Sequence, residues 1–290
     1  MALASAALAG DSLDPGLYVT ATPIGNARDI TLRALDVLRA CDLIVAEDTR
    51  VTAKLLAIHG VSKPLTAYND HNAPHERPKL LARLREGARI VLVSDAGTPL
   101  ISDPGYKLVR EVLAEHLPVQ VVPGPSAVLA ALVLAGIPAD RFLFAGFLPP
   151  KPSERRRALE GLRDVPAAVV LFESSPRLRD SLADMVDVLG ARPAAIAREL
   201  TKVYEEVRRG DLRSLAAEFA TRAAPKGEIT VVVASAPKRE ADFAKIDKLL
   251  SKALEHMPLK SAVDLVVEAF DLPRHGIYQR ALSIKTHGTN

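Results

Sequence analysis

The chain has 290 residues, of which 48% are hydrophobic and 25% charged, with 38 Lys and Arg against 35 Asp and Glu. That length suits two folded domains and that composition excludes an intrinsically disordered chain, while a formal charge of +3 permits a polyanionic partner without requiring one. Cys41 is the single cysteine, which excludes an intrachain disulfide and a zinc site made of cysteines alone; its place beside a strand suits an inert core thiol.

Residues 1–14 open with MALASAALAGDS, small and apolar but lacking the basic start of a signal peptide, and a disordered N-terminus is expected there. From Gly16 short apolar runs alternate with helical stretches. The pattern predicts strands at Leu17–Thr20, Leu43–Glu47, Leu65–Tyr68, Ile90–Ser94 and Val119–Val122, and helices at Ile30–Ala40, Thr49–Ile58, Pro74–Arg85, Asp103–Glu115 and Ser126–Ala135. Strands apolar on both faces with helices between them argue a mostly parallel sheet, the core of a first α/β domain over 15–139. The uncharged run 117–139 is long enough to mimic a membrane span, but Pro118, Pro123, Gly124 and Pro125 interrupt it, so a strand, a loop and a core helix are expected. No membrane partner and a cytoplasmic location follow as expectations.

A second block over 140–236 predicts strands at Phe142–Gly146, Ala167–Phe172, Ala194–Leu200 and Glu228–Ala234, and helices at Ser153–Arg163, Pro176–Leu189 and Asp211–Thr221, hence a second α/β domain. Beyond it, 241–286 carries helical patterns alone, Phe243–His256, Leu259–Phe270 and His275–Ile284, read as a small helix-turn-helix-like appendix.

Three loops follow apolar strands of the first block, at the sheet edge where parallel α/β folds bind ligands. In ATPIGN, Pro23 stiffens the turn, Gly25 permits close backbone approach and Asn26 stands before a helix. VSDAGTPLISDPG packs Asp95, Ala96, Gly97, Asp103 and two prolines into one crossover, and VPGPSA supplies Pro123, Gly124, Ala127 and Ser126 as an N-cap. Each loop alone could be a tight structural connection; three on one edge favour a ligand site. No GxGxxG, P-loop or HExxH is present and the seven histidines lack metal-ligand spacing, so no metal is expected. PKPSERRR begins a helix with Lys151, Arg155, Arg156 and Arg157, a surface for RNA phosphates or a solvated helix face.

The segments TPIGN with DIT, AEDTR, DHN, VSDAGTPLISDPG, PGPSA, GFLPPK, FESSPR, ARELTK and KGE run in order through nearly all of Leu17–Ala234. In them the chain resembles the tetrapyrrole methylase superfamily of S-adenosylmethionine enzymes, and within it the branch that methylates the ribose 2'-hydroxyl of a cytidine in 16S rRNA. The resemblance implies two α/β domains of the tetrapyrrole methylase type, that is, a class III methyltransferase, usually a homodimer, with S-adenosyl-L-methionine in the cleft between the domains. By motif, Pro23, Gly25, Asn26, Asp95, Ala96, Gly97, Pro123, Gly124, Ser126 and Ala127 from the first domain and Lys226, Gly227 and Glu228 from the second would line it. An activated sulfonium methyl needs mainly positioning and help with one proton. Glu47, Asp48, Glu173, Glu199, Lys202, Lys226 and Glu228 are candidates for that help, with Glu173, Glu199 and Lys202 preferred as catalytic residues; for Glu173 an i,i+4 salt bridge with Arg177 is the competing role. The implied partner is 16S rRNA or the small ribosomal subunit, and the appendix would add Lys260, Arg274 and Arg280 as RNA contacts. Two other readings stay open: a methylase of a tetrapyrrole carbon, against which stands the TPIGN loop, and a non-enzymatic nucleic-acid-binding protein, which leaves the three loops unexplained.

Overall fold

A computed structural model describes residues 13–100, 105–237, 243–270 and 272–287. Residues 1–12 of the expected disordered N-terminus, Asp103 and Pro104 of the second loop, and 241–242 of the appendix lie outside the described residues. Leu13 packs against the first core and the Asp14 carbonyl accepts a hydrogen bond from Tyr18 Oη at 2.8 Å, so residues 13 and 14, expected within the disordered N-terminus, are held in place. The chain divides into a large unit through Ala236 and a small one from Pro237.

The first sheet holds β1 (Gly16–Thr20), β2 (Leu43–Ala46), β3 (Leu65–Ala67), β4 (Arg89–Val93) and β5 (Val119–Val122) in the order β3-β2-β4-β1-β5, every pairing parallel. Helices α1 (Leu32–Ala40), α2 (Thr49–Ile58), α3 (Ala73–Arg85) and α4 (Tyr106–Ala114) link them. Because strand side chains alternate, Leu17, Val45 and Leu92 meet α3 and α4 through Leu80, Leu84, Leu108 and Val112, whereas Tyr18, Ile44 and Val91 meet α1 and α2 through Val37, Leu38 and Leu56. Neighbouring β1 and β4 send their chains to opposite sides of the sheet, which opens a crevice at their carboxyl ends. There Thr22 and Gly97 exchange backbone hydrogen bonds of 2.9 and 3.0 Å and tie the first two Gly/Pro loops together.

Helix α5 (Ala127–Ala135) corrects the expected boundary. The sequence pattern places it in the first domain, yet Val128, Ala131, Leu132 and Ala135 pack on the second sheet with Val170, Ala195, Ala197 and Val232. That sheet contains β6 (Phe142–Phe147), β7 (Ala168–Ser174), β8 (Pro193–Arg198), β9 (Glu206–Asp211) and β10 (Glu228–Val233) in the order β6-β7-β10-β8-β9. β6 pairs with β7 in parallel and the other three pairings are antiparallel. Helices α6 (Pro152–Leu162), α7 (Leu178–Leu189) and α8 (Leu212–Thr221) cover the face opposite α5 through Leu159, Leu182, Met185 and Leu215. β9 was not expected from the sequence. It is a charged edge strand whose Glu206 gathers Arg198, Arg208 and Arg222.

The small unit consists of α9 (Phe243–Leu254), α10 (Leu259–Phe270) and α11 (Arg274–His287) around Ile246, Leu250, Val263, Val266, Ile277 and Ala281. Two of its expected RNA contacts are engaged within it: Arg280 grips Asp247 at 2.6 and 2.8 Å and lies over the Phe243 ring, and Arg274 pairs with Asp264 at 2.8 Å. Lys260 is exposed. No described helix is long and apolar enough to cross a membrane.

Candidate active site

Between the carboxyl ends of β1 and β4 and the second sheet lies a cavity of about 560 Å³, within the range of small-molecule sites. Asp95, Ala96, Gly97 and Thr98 after β4 form one wall, and Ser126, Ala127 and Val128 at the start of α5 form another. The second sheet contributes Phe147, Phe172 to Ser174, and Gly227 to Thr230. Asp95 is fixed by the Asp48 N–H, which donates to Oδ1 at 2.9 Å. Ser126 Oγ accepts from Leu129 N and so caps α5, leaving the Ala127 and Val128 amides of its first turn without helical carbonyl partners at the cavity wall. Gly97, at φ +77°, adopts a conformation that side chains disfavour and holds the backbone against Ile24.

Of the expected ligand-binding residues, Asp95, Ala96, Gly97, Ser126, Ala127, Gly227 and Glu228 meet at this cavity. Pro23, Gly25, Asn26, Pro123, Gly124 and Lys226 are not on its wall. The contacts of three of them show how they shape it. Gly25 lies where a Cβ would overlap the Lys202 side chain, and the Asn26 N–H donates to Thr201 Oγ1 at 3.1 Å, so the first loop is clamped to the segment after β8. Gly124 packs so closely on Ala21 that a Cβ would stand 3.0 Å from that residue's own.

Of the three preferred catalytic residues, Glu173 is on the cavity wall and Glu199 and Lys202 are not. Glu173 lies at the wall but is 2% exposed, and its carboxylate accepts from Ser174 N at 2.8 Å and from Ser181 Oγ at 2.5 Å. Arg177 stands 3.4 Å away and donates to the carbonyls of Leu148 and Pro149. The competing salt-bridge role is therefore present, and through Arg177 this carboxylate is linked to the loop after β6. Glu199 and Lys202 stand off the wall. Glu199, at φ +51°, accepts from Lys202 Nζ at 2.8 Å and from Glu228 N at 3.0 Å, and Lys202 bonds Glu228 as well. Glu47 and Glu228 are the remaining carboxylates of the considered set that reach the cavity.

Arg155 is a second correction. It is 4% exposed, with Nε 2.6 Å from Asp184, because the carboxylate on α7 draws it into the α6–α7 seam; Arg156 binds the other oxygen of Asp184. Lys151 and Arg157 remain at the surface. The aromatic wall, Phe147 and Phe172, went unmarked in the sequence: Phe147 lies inside the quoted GFLPPK segment, but nothing in the residue order tells an exposed ring from a core one.

Residues 16–216 match the model of the Tetrapyrrole (Corrin/Porphyrin) Methylases, and the chain belongs to that family. Residues 240–285 match the RsmI C-terminal HTH domain. Among similar curated proteins, the ribosomal RNA small subunit methyltransferase I of Mesorhizobium japonicum is 49% identical, over 94% of this chain and 93% of its own. The protein of the same name from Escherichia coli O157:H7 is 45% identical, over 94% and 96%. A solved uroporphyrin-III C-methyltransferase from Thermus thermophilus, complexed with S-adenosyl homocysteine, shares the fold at a TM-score of 0.53 and 20% identity, over 75% of this chain and 96% of that one.

Proposed function

We propose that this protein transfers a methyl group from S-adenosyl-L-methionine to the ribose 2'-hydroxyl of a cytidine in 16S rRNA of the small ribosomal subunit. The observation that carries the reading is the similarity to ribosomal RNA small subunit methyltransferases I, 49% identity to one of them over 94% of the chain. The residues suit the methyl donor. The α5 amides offer N–H groups to a carboxylate, Asp95 and Glu228 offer acceptors to amino or hydroxyl groups, and the apolar wall of Ile24, Val128 and Ile229 suits a flat heterocycle. When bound, the donor supplies a methyl already activated on a sulfonium.

The protein's part is then positioning, with the hydroxyl proton passing to Glu47, Glu228 or solvent. Lys151, Arg157 and Lys260 are exposed cations suited to RNA phosphate. Homodimerisation is supported by α5, which buries one face in the large unit yet exposes Leu129 and Val133, four residues apart on its other face. With no described membrane helix, a cytoplasmic site of action fits the ribosomal substrate.

The test is methyl transfer to small subunits from cells lacking the activity, followed by nuclease digestion and nucleoside analysis. A 2'-O-methylcytidine product supports the reading. Active donor binding with methyl transfer to a porphyrin or corrin precursor and none to rRNA would replace it.

A further inference from the structure

Three of the chain's seven phenylalanines stand together, two of them, Phe147 and Phe172, on the cavity wall: Phe144 meets Phe172 edge-on with ring centroids 4.8 Å apart, and Phe147 lies against Phe172 at 5.6 Å. Phe144 and Phe147 are three residues apart, so a regular strand would send them to opposite faces. A β-bulge prevents this. Phe144 pairs with Val170 but Gly146 already pairs with Leu171, so Ala145 is the extra residue, and Gly146 takes φ +66°. Parity is reversed beyond the bulge, and Phe147 becomes the cross-strand partner of Phe172 on its cavity face.

Phe147 is nevertheless 55% exposed, a position that a core-packing role does not explain. Its place is fixed from behind, because Arg177, paired with buried Glu173, holds the carbonyls of Leu148 and Pro149. Beyond Pro150 the chain enters α6 with exposed Lys151 and Arg157. A preorganised, half-exposed ring at the mouth of a ligand cavity, followed by surface cations, is the arrangement that holds an unstacked base while its backbone is gripped electrostatically.

Resting on the proposed function, we infer that Phe147 is the platform on which the base of the target nucleotide stacks, and that Glu173 and Arg177 act as positioning residues for it. A 2'-hydroxyl inside a paired stem is hard to present in line with a donor held in a cavity, and stacking an extruded base on Phe147 would set the ribose at the cavity mouth.

The experiment compares the full-length wild type with Phe147→Leu, Phe147→Tyr and Phe147→Trp. It measures kcat/KM on unmethylated small subunits, with S-adenosylmethionine affinity and sedimentation as parallel readouts. Phe147→Leu keeps apolar bulk without a π-face, and it is expected to lower kcat/KM by about 5- to 100-fold, with donor affinity and oligomeric state unchanged. Phe147→Tyr and Phe147→Trp are expected to stay within about three-fold of wild type, since either ring can stack. Wild-type kcat/KM in Phe147→Leu overturns the platform while leaving the proposed function intact. A loss that accompanies dissociation of a dimer reassigns Phe147 to a subunit interface. A wild type that methylates no rRNA removes the function and the platform with it.

Discussion

Glu199 and Glu228 are joined through one ammonium: Lys202 Nζ stands 2.8 Å from a carboxylate oxygen of each. Burial pulls the Lys202 pKa down, but the hydrogen bonds to Glu199 and Glu228 outweigh it and hold it above its ordinary value, and the bond from Lys202 holds Glu199 below the usual carboxylate range. Both therefore stay charged near neutrality, and Lys202 serves as a clamp between the segment after β8 and the start of β10.

Removing the clamp by Lys202→Met leaves a partly buried Glu199 without its cation and is expected to cost about 1–3 kcal/mol, read from the denaturant midpoint of the full chain. The Glu199 contribution is complete above the unfolded carboxylate pKa of about 4.3 and is lost as pH falls through its lowered folded value. The Lys202 contribution is complete below about 10.4 and is lost as pH rises through its raised folded value. The wild-type advantage should thus be flat between those limits and shrink outside them; a variant as stable as wild type at pH 7 would contradict the clamp.

Gly227→Ala should injure the same cluster from the other side. Gly227 sits at φ +104° and an added Cβ would collide with the Glu199 carboxylate. A loss of about 2–4 kcal/mol is expected, together with weaker S-adenosylmethionine binding. Gly161→Ala, a helix position with nothing near the added carbon, serves as the control and should stabilise by up to about 1 kcal/mol. Equal effects of the two substitutions on melting would count against a strained Gly227.

The basic run at the start of α6 should separate into a structural and a solvent-facing half. Burial raises the Asp184 carboxyl, and the hydrogen bonds from Arg156 and Arg155 more than offset this, leaving its pKa below the ordinary range. Asp184→Ala strands a buried guanidinium and should cost about 3–5 kcal/mol. Arg157→Ala should leave the melting curve in place while lowering the salt dependence of rRNA binding by about one charge. The reverse pattern would overturn the division.

Cys41 is buried, and burial pushes its thiol up to about 11. It should resist a thiol-labelling reagent at pH 8 in the native protein and react fully once unfolded. Labelling of the native protein at the rate of a free thiol would show that the core over α1 opens readily.

Much of this architecture is legible in residue order because its signals are local. The two-sided apolar runs at Leu17–Val19 and Ile90–Val93 mark buried parallel strands, and Thr49–Ile58 is helical over the span that its periodicity indicates. The Gly/Pro loops at Asp95–Gly97 and Ser126–Ala127 stand at the cavity because parallel strands end there. What stayed hidden depends on distant partners. β9 reads EVRRGD, with no apolar alternation, and is held by its ladder with β8 and by Glu206 among three arginines. α5 is apolar on every side, so its sequence cannot say which sheet it covers. Arg155 resembles its neighbours until Asp184, 29 residues on, draws it inward, and the bulge at Ala145 that turns Phe147 has no signature beyond one glycine.

The most direct measurement is a calorimetric titration of the full-length protein with S-adenosylmethionine, repeated with Asp95→Ala. Asp95 lines the cavity and is held by the Asp48 amide. Saturable binding to one site per chain, weakened about ten-fold or more by the substitution in a protein that melts as the wild type does, is the expected result. Absence of binding, or binding that Asp95→Ala leaves untouched, would contradict the assignment of this cavity to the methyl donor.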